Sequence, residues 1–280
     1  METNLKNIIL RKFMNWLFLL PDNLSMILLN LLFFCFSKTS IKFEKNKNKG
    51  LFFVKDNYSE RYFVEFKRGV KLYFRGTKIR GKTLFNKYCL ENINFKKSDI
   101  VIDCGANQGD LRLGLSELVS PQNYYALEPS PMEFKCLQSS LCSGERLFNL
   151  ALAEKNGYMD FYVSSASADS SLIKPAIYDK KIKVEAVTLE FFFNEEKIKN
   201  CKLLKLEAEG FEPEILYGTK NILDRIEYIS VAGGPERGIL KEKTLHVVSN
   251  YLINYQFEMI DININSYRAL FRNLNHNKTF

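Results

Sequence analysis

The 280-residue sequence predicts an α/β protein: a mainly parallel sheet with helices on both faces, preceded by an apolar helical segment. Three observations carry that expectation. From residue 100 onward, apolar runs of strand length alternate with longer helix-type stretches, the pattern of strands joined by helical crossovers. One junction, VIDCGANQGD at 101–110, passes from a β-branched strand through a glycine-bracketed turn into the apolar-periodic LRLGLSELVS. The chain is 46% hydrophobic and 14% aromatic, enough for one good-sized core with an appendage or two small domains, and too apolar for disorder.

The elements follow in order. FMNWLFLLPDNLSMILLNLLFFCF, 13–36, is the most apolar stretch. Lys6, Arg11 and Lys12 precede it, and Lys38, Lys42, Lys45, Lys47 and Lys49 follow. Pro21-Asp22-Asn23 breaks it, with Asp22 or Asn23 as candidate N-cap of a second helix. The unbroken part, 24–36, reaches only roughly 20 Å as a helix, against a hydrocarbon core of ~30 Å, so a single clean span is not expected. Three readings stay open: a helical hairpin in the membrane interface with its lysines on anionic lipid, packing on the protein or on a second copy, or a signal segment. EKNKNKG, 44–50, reads as a flexible polar joint, and 62–76 as a hairpin around Arg68-Gly69. A helix near 82–92 leads into the strand at 100–104.

Beyond the glycine turn, strands are expected at 124–130, 146–154, 158–164, 201–210 and 227–233, and helices at 131–141, 211–223 and 243–255. An antiparallel pair near 257–272 closes the chain. The domain reading is 1–43, the apolar segment; 44–98, a hairpin and helix lead-in; and 99–280, the ligand-binding domain.

Charge is uneven. Residues 1–98 hold 20 Lys/Arg and 7 Asp/Glu, whereas 99–280 hold 20 and 25. The basic part is either a solvated surface or faces something anionic, such as a membrane. No nucleic-acid motif is present, so a nucleic-acid partner is not expected. The six cysteines form no C-x-x-C pair and there are two histidines, so no metal site is expected, and the spacing fits a reducing compartment.

The turn at 105–109 matches neither G-x-G-x-x-G nor the P-loop pattern. Acids mark it instead. Asp103 sits beside it, and Glu128 ends the next strand, where a ribose diol is gripped in such folds. S-adenosylmethionine has a ribose, an amino group and a sulfonium but no phosphate, and it fits these residues better than NAD.

VIDCGANQGD, YALEPSP, NLALAEKNG, AVTLEFF and LLKLEAEGFEPEILYGTKNIL occur in the order of FkbM-type methyltransferases, which this sequence resembles over about residues 60–272. The resemblance implies a class I, Rossmann-like, seven-stranded fold and S-adenosylmethionine-dependent O-methylation of sugars or secondary metabolites. It also implies that Asp103, Gly105, Asn107 and Gly109 line the methionine end of the cofactor. Glu128 would hold the ribose, with Ser130 and Leu152 near it or the adenine. The family usually carries aspartate where this chain has Glu207, an arm longer by one methylene.

LLKLEAEG brings Lys205, Glu207 and Glu209 to the end of the fourth core strand. An alcohol acceptor must lose a proton, so Glu207 is the first candidate base, with Lys205 beside it and His246 in reserve. The bland alternatives are a structural pairing of Glu207 and Glu209 with Lys205 or Lys202, a packed or surface His246, and a Glu128 that merely marks a helix start. VSSASADSSLIKP, 163–175, and GGPERG, 233–238, with Glu236 and Arg237, are candidate borders of the acceptor cleft. An O-methyltransferase acting on a glycan or small molecule near the inner membrane face leads. An NAD-type oxidoreductase and a non-catalytic, membrane-attached binding module are the competing expectations.

Overall fold

A computed structural model describes residues 15–36, 40–164 and 170–276. The expectations placed on residues 1–14 and on the middle of 163–175 lie outside them. The chain divides into two compact units, Met1–Ile79 and Arg80–Phe280.

In the first unit, helix α1 (Asp22–Phe36) begins directly after Pro21, where the sequence placed a helix start. Ser25 donates its hydroxyl to the Leu17 carbonyl at 2.7 Å, fixing the segment that leads into the helix. Strands β1 (Lys42–Asn46), β2 (Leu51–Lys55) and β3 (Glu60–Phe63) form an antiparallel sheet in that order. Three of the seven residues of the expected 44–50 joint are therefore strand: β1 and β2 are a hairpin, and only 47–50 turns, with the Asn46 side chain accepting from the Lys49 N–H. The hairpin expected around Arg68-Gly69 is also absent. Residues Phe66–Tyr73 form helix α2, because Phe66, Gly69, Val70 and Tyr73 recur at helical spacing and all four are buried. The mixture of aromatic and β-branched residues there resembled strand, but the burial period is that of a helix. Phe43, Phe52, Phe63 and Phe66 pack ring on ring into the core that Leu29 and Phe33 of α1 complete.

Helix α3 (Thr77–Lys87) carries the chain into the second unit. Seven strands form its main sheet: β4 (Val101–Cys104), β5 (Tyr124–Leu127), β6 (Arg146–Phe148), β10 (Cys201–Leu206), β11 (Ile226–Ala232), β14 (Phe257–Asn263) and β15 (Arg268–Asn273). The spatial order is β14-β15-β11-β10-β4-β5-β6, with β15 antiparallel to both neighbours and the other pairings parallel. This is the seven-stranded, mainly parallel arrangement that the resemblance implies. Between β6 and β10 lie β7 (Ala151–Leu152), β8 (Gly157–Val163) and β9 (Lys180–Val187), which form a separate three-stranded sheet, so the expected 146–154 strand is two short ones broken at Asn149. Helices α4 (Leu111–Leu115), α5 (Pro131–Ser140), α6 (Leu189–Glu195), α7 (Glu212–Tyr217) and α8 (Leu245–Asn254) complete the crossovers. A two-stranded ribbon, β12 (Pro235–Arg237) with β13 (Glu242–Lys243), follows β11.

Alternate residues of the central strands feed two cores. Ile102, Cys104, Leu204 and Leu206 pack on one face; Val101, Tyr124, Ala126 and Leu203 pack on the other. The chain leaves β4 toward β5 and β6, then returns to β10 on β4's other side. The strand order therefore reverses between β4 and β10, and ligands of such sheets bind at the carboxyl ends there.

Candidate active site

The site starts with a charge placed where the strand pattern calls for an apolar residue. Asp103 of β4 and Lys205 of β10 are register partners on the face that buries Val101 and Leu203. Their charged groups lie 2.9 Å apart with side-chain exposures of 1% and 3%. The ammonium also donates to the carbonyls of Cys104 at 3.0 Å and Gly105 at 2.7 Å. Two carbonyl acceptors and one ion-paired carboxylate thus surround the buried ammonium. Burial would lower the Lys205 pKa, but Asp103, Tyr88 and Glu207 hold it well above the usual range. Asp103 also accepts the Tyr124 hydroxyl. Lys205 therefore ties the ends of β4 and β10 together from below the turn and is a positioning residue. Asp103 does not line the cleft as expected, because Lys205 and Tyr124 hold it one layer beneath.

The turn rests directly on β10. Gly105 has φ +72°, and a Cβ there would stand 1.9 Å from the Glu207 carbonyl oxygen. Each N–H of the turn has an acceptor within the protein. Gly105 and Ala106 donate to the Leu127 carbonyl, Asn107 to the Glu128 carboxylate, Gln108 to the Asn107 side chain and Gly109 to the Ala106 carbonyl. A pyrophosphate needs such N–H groups for itself; here protein carbonyls, an amide oxygen and the Glu128 carboxylate already accept from them. Gly109, with φ +85°, packs against Leu137 and Leu141 and serves the turn rather than the cleft.

Glu128 accepts from the N–H of Asn107 at 2.8 Å and of Ser130 at 2.9 Å, one on each oxygen. Each oxygen keeps a lone pair for a further donor. Burial raises its pKa to about 7, with the Ser130 N–H opposing and the neighbouring Glu133 adding to the rise. Ser130 itself is buried, its hydroxyl donating to Glu133.

Glu207 is held differently. The Tyr88 hydroxyl and the Arg268 guanidinium donate to its two oxygens, and Lys205 lies 3.5 Å away. Burial alone would raise its pKa, but Lys205, Arg268 and Tyr88 bring it down to about 2. Tyr88 is fixed in turn by the Ser230 hydroxyl, which donates to the Tyr88 carbonyl at 2.8 Å. A carboxylate this acidic is a poor proton acceptor near neutrality. The geometry thus supports Glu207 as an oriented carboxylate between Tyr88, Arg268 and Lys205, and its expected role as general base is a matter for the kinetics of its variants.

The loop after β10 is braced from behind. The Glu212 carboxylate accepts from the N–H groups of Ala208 and Gly210 and from the Thr244 hydroxyl. Arg237 donates to the Gly210 carbonyl and pairs with both oxygens of Glu214.

Above these supports lies a cleft with about 660 Å³ of empty space, counting its part open to solvent. Among the expected residues, Gly105, Asn107, Glu128, Leu152, Glu207 and Glu209 line it. So do Glu133, Leu150, Phe161, Leu172 and Ile215, which the sequence reading did not single out. His246, the expected reserve base, is exposed on α8 and borders a different hollow with Tyr217 and Lys243, so the structure does not bring it to this cleft. Four glutamates and an apolar wall suit an organic cation. Among the described residues no group of three acids, cysteines or histidines is placed to hold a metal ion. The phosphate-free turn, the spare lone pairs of Glu128 and the acidic lining fit S-adenosylmethionine.

The model of the methyltransferase FkbM domain matches residues 103–260. The 2-O-methyltransferase NoeI of Sinorhizobium fredii is 22% identical over 152 residues, which are 48% of this chain and 63% of that protein. A crystal structure of methyltransferase FkbM from Methylobacillus flagellatus is 14% identical with a TM-score of 0.44, covering 64% of this chain and 44% of that one. Aeropyrum pernix fibrillarin with bound S-adenosyl-L-methionine is 12% identical with a TM-score of 0.39, over 82% of this chain and 97% of that one. This chain thus spans less than two thirds of the NoeI protein and less than half of the FkbM structure. The family match runs from the acid before the glycine turn into the closing antiparallel pair, over more than half the chain, and the protein belongs to the FkbM methyltransferases, a family of S-adenosylmethionine-dependent enzymes.

Proposed function

We propose that this protein is an O-methyltransferase that takes S-adenosylmethionine at the β4–β5–β10 strand ends and methylates a hydroxyl of a sugar, a polysaccharide precursor or a secondary metabolite. The reading places it in the cytoplasm, working against the inner face of the membrane. The observation that carries the cofactor assignment is the turn whose N–H groups are all used internally beside a carboxylate with two spare lone pairs. That arrangement disfavours the NAD-type alternative, which would bring a pyrophosphate against Glu128.

Glu128 would accept from the ribose hydroxyls, with Leu152 and Phe161 as apolar neighbours. Asn107, Gly105 and Glu207 would hold the amino-acid end. When bound, the cofactor supplies an electrophilic methyl group on a sulfonium. The ionised Glu207, kept so by Lys205 and Arg268, offers negative charge to that end of the ligand. Methyl transfer draws much of its rate from orientation, so a site without a strong base is chemically sufficient for an acceptor whose proton leaves to water. The choice of an oxygen as the methylated atom is supported by the 2-O-methyltransferase description of the NoeI relative.

The test is calorimetry with S-adenosylmethionine, its demethylated product and NAD, followed by transfer of a labelled methyl group into oligosaccharide and lipid-linked sugar fractions. Heat with the first two and none with NAD is expected, with label recovered as an alkali-stable ether. No heat with either sulfur compound sinks the cofactor reading. Label in an alkali-labile ester or on nitrogen sinks the O-methylation reading.

A further inference from the structure

Helix α1 has the composition of a buried helix and the exposure of a surface one. Its buried stripe is Ser25, Leu29 and Phe33, packed toward β1, with the Asn30 amide donating to the Phe43 carbonyl and accepting from its N–H. That face is spoken for. The opposite face carries Leu24, Ile27, Leu31 and Phe34, at helical spacing, with exposures of 44%, 55%, 55% and 88%. Trp16 and Leu19, just before the helix, are also exposed. No charged side chain interrupts this row. A helix apolar all round is expected to be covered on all sides, and an apolar row of this kind on a soluble surface marks an interaction site.

Charge identifies the partner. Residues 1–79 hold 15 Lys/Arg and 6 Asp/Glu, a net of +9, while 80–280 hold 25 and 26. The chain's net positive charge therefore belongs entirely to the unit that displays the apolar row. Lys42, Lys45, Lys47 and Lys49, on β1 and the turn after it, are exposed. At 15 residues α1 is roughly 22 Å long, short of a ~30 Å hydrocarbon core, and its other face is packed. No described helix is long and apolar enough to cross a membrane.

We propose that α1 lies flat in an anionic membrane surface, its Leu24-Ile27-Leu31-Phe34 face in the acyl boundary and the basic N-terminal unit against acidic headgroups. The pairing of an apolar helix face with a basic flank is the chemistry that such surfaces select. The inference deepens the membrane-face reading above by naming the contact, and it is independent of which acceptor is methylated. A second copy of the chain would cover the same apolar row but would be repelled by the matching basic flank.

The test is flotation of the full-length protein with vesicles of phosphatidylcholine alone or mixed with phosphatidylglycerol, using wild type and an Ile27→Glu/Phe34→Glu variant. Both substitutions are at exposed positions, and cofactor calorimetry on the same samples reports that the fold is intact and separates failure here from failure of the cofactor reading. Wild type should float with the acidic vesicles, less with the neutral ones, and less in high salt. The variant should bind about 100-fold more weakly or worse, since two apolar anchors are lost, with unchanged cofactor heat. Equal recovery of both proteins, or no recovery of wild type, overturns the proposal. So does a wild type that is dimeric without lipid while the variant is monomeric, with neither floating, which would give the face to a second copy.

Discussion

The ends of β5 and β10 each present a glutamate to the same cleft, and the two are opposites. Glu128 is held by two neutral backbone N–H groups and is pushed up to about 7. Glu207 is held by a guanidinium, a phenol and an ammonium nearby and is brought down to about 2. Burial acts on both in the same direction, so it does not explain the difference. The partners do. A neutral donor leaves a buried carboxylate's charge uncompensated, whereas a cation compensates it. One cleft thus contains an acid that titrates under ordinary conditions and one that does not.

The contrast also sets opposite pH dependences of stability. Glu128 has a folded value above its ordinary 4.5. Its contribution is complete below about 4.5 and is lost as pH rises through about 7. Glu207 lies below 4.5, so its contribution is present above that value and disappears as pH falls through about 2.

Removing the cation should collapse the contrast most severely. Lys205→Met leaves Asp103 buried without its partner and takes the nearest ammonium from Glu207. The expected destabilisation is about 3–5 kcal/mol, the scale for breaking one side of a buried pair, read by urea unfolding. Adding Asp103→Asn should recover part of it, since a neutral pair no longer carries an uncompensated charge. A single Lys205→Met variant as stable as wild type would show that Lys205 is not the tie between β4 and β10.

That tie explains what the sequence disclosed and what it concealed. The order of strands, the glycine turn and the acids at 103, 128 and 207 are local patterns, and a strand-turn-helix junction is readable because it is contiguous. The layer each acid occupies is not local. Asp103 looked like a ligand contact because it adjoins the turn, but strand alternation turns it to the Val101 face, where Lys205 meets it. Tyr88 and Arg268 reach Glu207 across 119 and 61 residues, and nothing near either one signals the contact. The 62–76 segment failed for a different reason: aromatic and β-branched composition resembles strand, while the burial period that decides for helix emerges only against a packed partner.

The next effect isolates the β5 end. Glu128→Gln keeps the shape and one acceptor oxygen but places an amide facing two N–H donors. Cofactor affinity should fall by about 1.5–3 kcal/mol, the scale of hydrogen bonds to a charged group. Wild-type affinity should tighten as pH rises through about 7, because the ionised carboxylate is the better acceptor for hydroxyl donors. The variant should lose that dependence. Calorimetry across this range decides, and a variant that keeps the wild-type pH dependence would move the titrating group elsewhere.

The smallest effect is the most informative about chemistry. If Glu207 is an oriented anion, Glu207→Gln should lower turnover by only about tenfold, because the site loses one charge near the cofactor's cationic end and keeps its alignment. The shape of the pH–rate profile between about pH 5 and 9 should not change, since an acid limb near 2 lies far below that window. Arg268→Met provides the complement. With one of its two cations gone, Glu207 should titrate at higher pH, and a new acid limb should move toward the measurable range. If Glu207→Gln instead reduced turnover by ~10²–10⁴-fold at unchanged cofactor affinity, and erased an acid limb present in wild type, Glu207 would be the base after all. The Arg268 clamp would then have to release in the complex with acceptor, and the difference between the two glutamates would belong only to the free enzyme.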